Sequence, residues 1–333
     1  MSRNGGNPGL RLRPIRVPDD YPGLTAANQS ARTAAGRPSS ITVADLTRYL
    51  EHLVNCDPPR DVVVAELDGR ICGYGIVFWR DLVDGGRIVV GHGILGPGAR
   101  TADSIATLFG WLDERLSDVG ASLTNPRPDY ASAFTWTDNA LASAFLAGRG
   151  WSVVAHAYEM LRNSLDDVRG IPLPDGLEIR PVGHANAPQV WDALVDGFRD
   201  HRHKPEATDE DRERFLDNPL HDPDLWVVAF DGDEIAGGVV NIVDPEENEA
   251  TGNRRGYVEA VFTRPAWRRR GLALALVAES LVRLRDRGMT SALLGVDGAN
   301  PNQAMTLYED IGFEIAATEL EWRRPLTAGE DPR

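Results

Sequence analysis

Residues 62–77 read VVVAELDGRICGYGIV and residues 227–240 read VVAFDGDEIAGGVV. Each is an apolar, β-branched run, an Asp-Gly pair and a second apolar run, the pattern of two strands joined by a tight turn. Elsewhere the apolar spacing lengthens to that of helices. APQVWDALVDGFRDHR (187–202), TDEDRERFLDNP (208–219) and NQAMTLYEDIG (302–312) read this way. So does LALALVAESLVRLRDRG (272–288), with Leu272, Leu276, Leu281 and Leu284 available for one broad apolar face. Further strands are expected at RGYVEAVFT (255–263), SALLGVD (291–297) and FEIAATELEWRRP (313–325). Hairpins first and crossover helices later make a mixed α/β fold.

The pattern occurs twice. LRLRPIR (10–16) is echoed by LEIRPVG (177–183), and LASAFLAGRGW (141–151) by AMTLYEDIGF (304–313). Placing Asp68-Gly69 on Asp231-Gly232 gives an offset of 231 − 68 = 163, and Gly150 on Gly312 gives 312 − 150 = 162. Similar offsets in the same order mean a duplicated domain of about half the chain. The expected layout is a disordered lead-in over 1–9, a first domain over 10–162, a linker over 163–176, a second domain over 177–325 and a frayed tail over 326–333. The linker NSLDDVRGIPLPDG is polar and carries Pro172 and Pro174, as linkers do.

Composition narrows the function classes. The 333 residues carry a formal net charge of -15. That disfavours a nucleic-acid partner, which needs a basic face, and suits either a cationic substrate or plain solubility. No apolar run is long enough to span a membrane, and the N-terminus lacks the apolar segment of a secretory signal, so a cytoplasmic location is expected. The two cysteines, Cys56 and Cys72, stand outside any Cys/His cluster, so no metal site is expected. Lys204 is the only lysine, a skew that reads as codon bias of the actinobacterial kind.

Against this acidic background, RPAWRRRGLALAL (264–276) sets four arginines and one glycine directly before an apolar helix. Pro265 ends the preceding strand, and Gly271 lets a ligand approach the backbone. A helix N-terminus carries about half a positive charge and free N–H groups, so this turn is a cradle for an anion such as a pyrophosphate. No GxGxxG follows the strand before this turn and no GxxxxGK exists, which removes the dinucleotide and P-loop readings of it.

The turn RRRGLA, followed 308 − 271 = 37 positions later by Tyr308 in NPNQAMTLYEDIGFE, resembles the GCN5-related N-acetyltransferases (GNATs). The resemblance covers 177–325, and the tandem arrangement is similar to the two-domain, mycothiol synthase-like actinobacterial type. It implies two tandem GNAT domains, each a mixed, mostly antiparallel sheet flanked by helices, with acetyl-CoA as co-substrate and no metal. It further implies that Arg268, Arg269, Arg270, Gly271, Leu272 and Ala273 hold the CoA pyrophosphate, chiefly through their amides. Val261, Phe262 and Thr263 would run beside the pantetheine arm, and Asn300 would contact it, with Asn302 as competitor. Tyr308 is expected either to protonate the leaving thiolate or to be a core aromatic. Glu259 is expected to be the general base for the amine or else a carboxylate in a salt bridge. Strand alternation puts Glu259, Val261 and Thr263 on one side and Ala260 and Phe262 on the other.

The first half has GILGPGARTADSIATLFGWL (93–112) at the corresponding place. Aligning Pro97 with Pro265 sets Asp103 on Gly271, where a carboxylate would repel the pyrophosphate. Leu146 stands for Tyr308. This half reads as a degenerate copy, serving as scaffold or as a wall of the acceptor pocket. His201 and His203 are expected to be surface residues or substrate contacts, and 244–256 a charged loop. The leading expectation is direct acetyl transfer by the second half to a small-molecule primary amine. Alternatives are a protein N-terminus or lysine as acceptor, or a non-catalytic acyl-CoA-binding module. Monomer and homodimer stay open.

Overall fold

The computed structural model describes residues 9–37, 41–124, 128–199, 205–298 and 304–326. They form two compact units, one from the N-terminus to His156 together with the residues from Thr318 onward, the other Ala157–Ala317.

In chain order, the first unit begins with β1 (Arg11–Pro14), α1 (Tyr21–Ala34), α2 (Val43–Glu51) and α3 (Pro58–Asp61). There follow β2 (Val62–Leu67), β3 (Arg70–Asp81), β4 (Arg87–Leu95), α4 (Ala102–Ser122), β5 (Tyr130–Trp136), α5 (Ala140–Ala147) and the start of β6 (Ser152–Arg162), whose residues from Ala157 on belong to the second unit. Asp68 and Gly69 both take positive φ, 52° and 74°, as the two-residue turn joining Leu67 to Arg70 requires. Alternation along β2 sends Val63 and Ala65 to the α4 face, with Leu108, Phe109 and Leu112. Val62 and Val64 go to the opposite face, with Leu24, Leu46 and Leu50. Helix α4 crosses between β4 and β5, which pair in parallel.

The second unit continues with β7 (Glu178–Ile179), α6 (Ala187–Phe198), α7 (Asp209–Leu216), β8 (Val227–Asp231), β9 (Glu234–Ile242) and α8 (Pro245–Thr251). It ends with β10 (Arg255–Thr263), α9 (Leu272–Asp286), β11 (Ser291–Asp297), α10 (Ala304–Asp310) and the start of β12 (Glu314–Pro325). Leu272, Leu276, Leu281 and Leu284 of α9 pack on Val227, Ala229, Val239 and Val258. Val190 and Ala193 of α6 cover the other face through Val228, Val240 and Phe262. The segment expected as a loop over 244–256 contains α8. Asp244 caps that helix by accepting from Glu247 N–H, and Gly252 ends it at φ 67°.

Three further features depart from the sequence reading. The β8–β9 turn joins Asp231 to Glu234, so Gly232-Asp233, not Asp231-Gly232, stands opposite Asp68-Gly69. The larger departure is an exchange of last strands. The sequence closes each half with its own final strand, but β12 pairs with β5 of the first unit, Glu319 opposite Trp136. In turn β6 pairs with β11 of the second, Leu293 opposite Leu161. The polar stretch 163–176 is also no free tether, because Leu165 and Val168 are buried in the α9 core.

Candidate active site

The parallel ladder between β10 and β11 covers only Arg255–Val258 opposite Ser291–Leu294. Beyond it β10 keeps its partner β9 as far as Thr263, and β11 keeps β6 as far as Asp297. The two strands therefore part, and Val261, Phe262 and Thr263 turn one backbone edge toward the opening. An unpaired edge offers N–H and C=O groups to an extended, amide-bearing ligand. Glycines let the neighbouring elements close on β10: a Cβ at Gly237 would lie 2.7 Å from the carbonyl oxygen of Phe262, and one at Gly197 3.0 Å from its Cβ.

The arginine turn stands at the end of β10. Its first arginines are struts. Arg264 donates to Asp196 at 2.7 Å and to the Ile235 carbonyl at 3.1 Å, and Arg268 donates to the carbonyls of Thr263 and Gly197 at 3.1 and 2.9 Å. The Trp267 indole N–H reaches Asp231 at 2.9 Å. Arg269 and Arg270 differ: their side chains are exposed and have no recorded partner among the described residues. Arg269 and Gly271 both take left-handed conformations, φ 60° and 81°. Gly271 opens α9 without a side-chain cap, so the first N–H groups of the helix, from Leu272 and Ala273 on, have no side-chain acceptor. Left-handed residues just before a helix make a concavity of N–H groups suited to an anion. Leu272 anchors the turn by burial, and the Thr263 hydroxyl is buried there with no hydrogen-bond partner among the described residues.

Tyr308 stands on α10, buried against Phe313 with ring centroids 6.0 Å apart. Burial pushes its phenol up to about 12, which keeps the hydroxyl protonated near neutrality. Asn300, Asn302, His201 and His203 lie outside the described residues.

Glu259 is not where simple alternation puts it. Val258 pairs with Asn241 and Ala260 with Val240, so Glu259 is the extra residue of a β-bulge. The bulge breaks the alternation: Val258 and Val261 pack toward α9, whereas Ala260 and Phe262 pack toward α6. The Glu259 carboxylate, 40% exposed, meets Nε2 of His221 at 2.7 Å on the α6–α7 side, opposite Val261. The sequence reading passed over His221. Nothing in HDPDLW marks it, because a contact across 38 positions leaves no local pattern.

The first unit has each of these features altered. The N-cap of its helix α4 stands four residues after Pro97, the Thr101 hydroxyl accepting from Ser104 N–H, while the N-cap of α9, Gly271, stands six after Pro265. By helix start, Thr101 and not Asp103 stands opposite Gly271, and the loop is two residues shorter. Strand β4 pairs with β3 from Gly73 opposite Leu95 to Asp81 opposite Arg87 without a bulge, so Glu259 has no counterpart there. Leu146 does stand where Tyr308 does, each four residues before a positive-φ glycine, Gly150 or Gly312. A cleft is lined by Asn28, His92, Phe134 and Trp136 together with Arg37 and Arg100. Both of these arginines are taken up by Asp138, at 2.7 and 2.8 Å. Burial lowers the pKa of His92 to about 4, so its ring is neutral near neutrality.

Among the described residues there is no cluster of three or more His, Cys, Asp or Glu able to hold a metal, and no helix long and apolar enough to cross a membrane. Residues 187–313 match the model of the acetyltransferase (GNAT) family. The second unit carries a domain of the acetyltransferase (GNAT) type. The chain is 29% identical to a mycothiol acetyltransferase of Geodermatophilus obscurus, over 80% of this chain and 82% of that one. It is 30% identical to one from Thermobispora bispora, over 55% and 62%. The fold is shared with a GCN5-related N-acetyltransferase from Sphaerobacter thermophilus, at a TM-score of 0.72, 22% identity and 97% coverage of both chains. It is shared too with a tandem GNAT protein from the clavulanic acid biosynthesis pathway, at a TM-score of 0.62, 15% identity and coverage of 96% and 100%.

Proposed function

We propose that the second unit moves an acetyl group from acetyl-CoA to the primary amine of a small molecule. The observation that carries the reading is the turn Arg269–Ala273. Two exposed arginines, two left-handed residues and an uncapped helix start meet where β10 and β11 part. Pyrophosphate on these N–H groups directs the pantetheine arm along Val261, Phe262 and Thr263, whose free backbone edge pairs with its amides. Asn300, from the sequence pattern, belongs to the same arm.

The chemistry is one displacement. The amine, its proton taken by Glu259, attacks the thioester carbonyl carbon; the C–N bond forms and the C–S bond breaks. The departing thiolate takes the phenolic proton of Tyr308, which solvent restores. General acid and base catalysis of this kind contributes about 10²–10⁴-fold. The relatives' names favour an acceptor of the mycothiol type, a small thiol-bearing molecule, over a protein N-terminus or lysine. The first unit, with its loop shortened, no counterpart of the bulged Glu259 and Leu146 in place of Tyr308, serves as scaffold. No metal takes part, nucleic acid and membrane are not partners, and the protein works in the cytoplasm.

Titration calorimetry with acetyl-CoA tests the reading. One site per chain, abolished by R269A/R270A and untouched by R37A, is the expected result. Two sites would restore a role to the first unit. No binding by folded protein would end the acetyltransferase reading.

A further inference from the structure

His221 lies between α7 and β8, almost wholly buried. Its ring stands edge-on to Phe215 at 4.5 Å and to Trp226 at 5.4 Å. Both ring nitrogens are engaged. Nδ1 is 2.8 Å from the carbonyl oxygen of Phe215, and Nε2 is 2.7 Å from Oε2 of Glu259. A carbonyl oxygen only accepts, so Nδ1 carries a hydrogen. The second contact needs a hydrogen of its own, on Nε2 or on Oε2. The backbone of His221 is held too, by a bridge to Ile242. The imidazole is thus fixed by two rings, two acceptors and its own main chain.

Glu259 is the less constrained partner. It sits on a bulge, its carboxylate is 40% exposed, and Oε1 has no recorded partner among the described residues. We infer that His221 is the positioning residue for Glu259: it fixes Oε2 and so presents Oε1 as the one oxygen open to the acceptor amine. This rests on Glu259 being the base proposed above. A hydrogen shared between Nε2 and Oε2 closes that oxygen to substrate, so the amine's proton passes to Oε1. An unanchored glutamate would sample several rotamers, and misplacing a reacting group by about 1 Å costs on the order of 10²-fold in rate. A buried histidine that merely filled space would need neither contact.

Two substitutions separate the contacts. His221→Asn sets an amide nitrogen near Nδ1, keeping the Phe215 carbonyl and losing Glu259. His221→Gln sets one near Nε2 and keeps Glu259. The assay is acetylation of D-glucosamine, L-cysteinamide and spermidine by the full-length protein, read as N-acetyl product. Expected is a fall of about 10- to 100-fold in kcat/KM for the amine in H221N. The KM for acetyl-CoA should stay within about threefold, most of the rate should return in H221Q, and H221N/E259Q should be no slower than E259Q. Equal behaviour of H221N and H221Q, or a loss shared equally by the KM for acetyl-CoA, overturns the positioning role while an impaired E259Q leaves Glu259 as base. E259Q at wild-type rate, or no product from the wild type, removes the base assignment and this inference with it. Should H221N fail to fold, H221Q alone decides: near-wild-type kinetics support the anchor, and a loss as large as that of E259Q refutes it.

Discussion

The guanidinium of Arg268 donates to the carbonyl oxygen of Gly197 at 2.9 Å, tying the loop after β10 to the end of α6. Within one run of three arginines the first is therefore a strut and the next two are open to an anion. Arg268→Ala removes two hydrogen bonds to backbone carbonyls, which would then be left short of a donor. It should lower the melting temperature, at a cost of about 1–3 kcal/mol, and weaken acetyl-CoA binding as a consequence. Arg270→Ala should leave the melting temperature within a degree or two and weaken acetyl-CoA alone, increasingly so at low salt, where a phosphate contact is least screened. Thermal denaturation and calorimetry of the two variants side by side check the division.

Gly271 takes φ 81°, and a Cβ built there meets nothing within 4 Å. Gly271→Ala therefore introduces backbone strain without a clash, costing about 1–2 kcal/mol. The strain is relieved by rotating the residue out of the left-handed region, which turns the first N–H groups of α9 away from the anion. Stability should fall by that modest amount, whereas acetyl-CoA affinity should fall by tenfold or more. A variant that binds acetyl-CoA like the wild type would mean that the turn is not the pyrophosphate site.

Tyr308 has its phenol raised from 10.0 to about 12 by burial. The folded protein favours the neutral phenol, so the stability this carries is complete below pH 10 and lost as the pH rises toward 12. Tyr74 and Tyr130, also raised to about 12, act in the same direction. Tyr308→Phe should lower kcat by about 10²-fold, leave acetyl-CoA affinity unchanged and remove part of the alkaline destabilisation. In the wild type, ionisation of Tyr308 should cause no fall in kcat between pH 7 and 10. A rate unaffected by Tyr308→Phe would make the residue a core aromatic.

The hairpins, the helix α9 and the anion turn were legible because each is written in consecutive residues: an Asp-Gly turn, a leucine stripe, a glycine after arginines. The contact of Glu259 with His221 was not, because it spans 38 positions and depends on a bulge that reverses the strand's parity. Nothing in YVEAVFT signals an inserted residue, since a bulge is fixed by the strand beside it. The shortened loop of the first half escaped alignment by Pro97 for a similar reason. Thr101 declares itself a cap only by the N–H it accepts from Ser104. The strand exchange was hidden because β6 and β12 have equivalent patterns, and pattern alone does not say which of two similar strands an edge receives.

That exchange sets the last expectation. A fragment covering residues 163–333 contains every residue proposed for catalysis, yet it lacks β6. The edge of β11 from Ala292 to Asp297 would lose all six of its partners, Ala157 to Arg162, and the α9 core would lose Met160, which is fully buried. Deleting a large buried apolar side chain alone costs about 2–5 kcal/mol, comparable with a whole domain's stability. The fragment also keeps all of β12 without β5, leaving an unpaired strand in the same molecule as an unpaired edge. Strand β12 of a second copy can fill the place of β6, so the fragment should associate or precipitate where the full chain does not. Size-exclusion chromatography with light scattering decides it. A monomeric fragment that melts with the full chain and binds one acetyl-CoA would mean that β12 folds back onto β11 within its own half, and that the exchanged pairing is not required for the site.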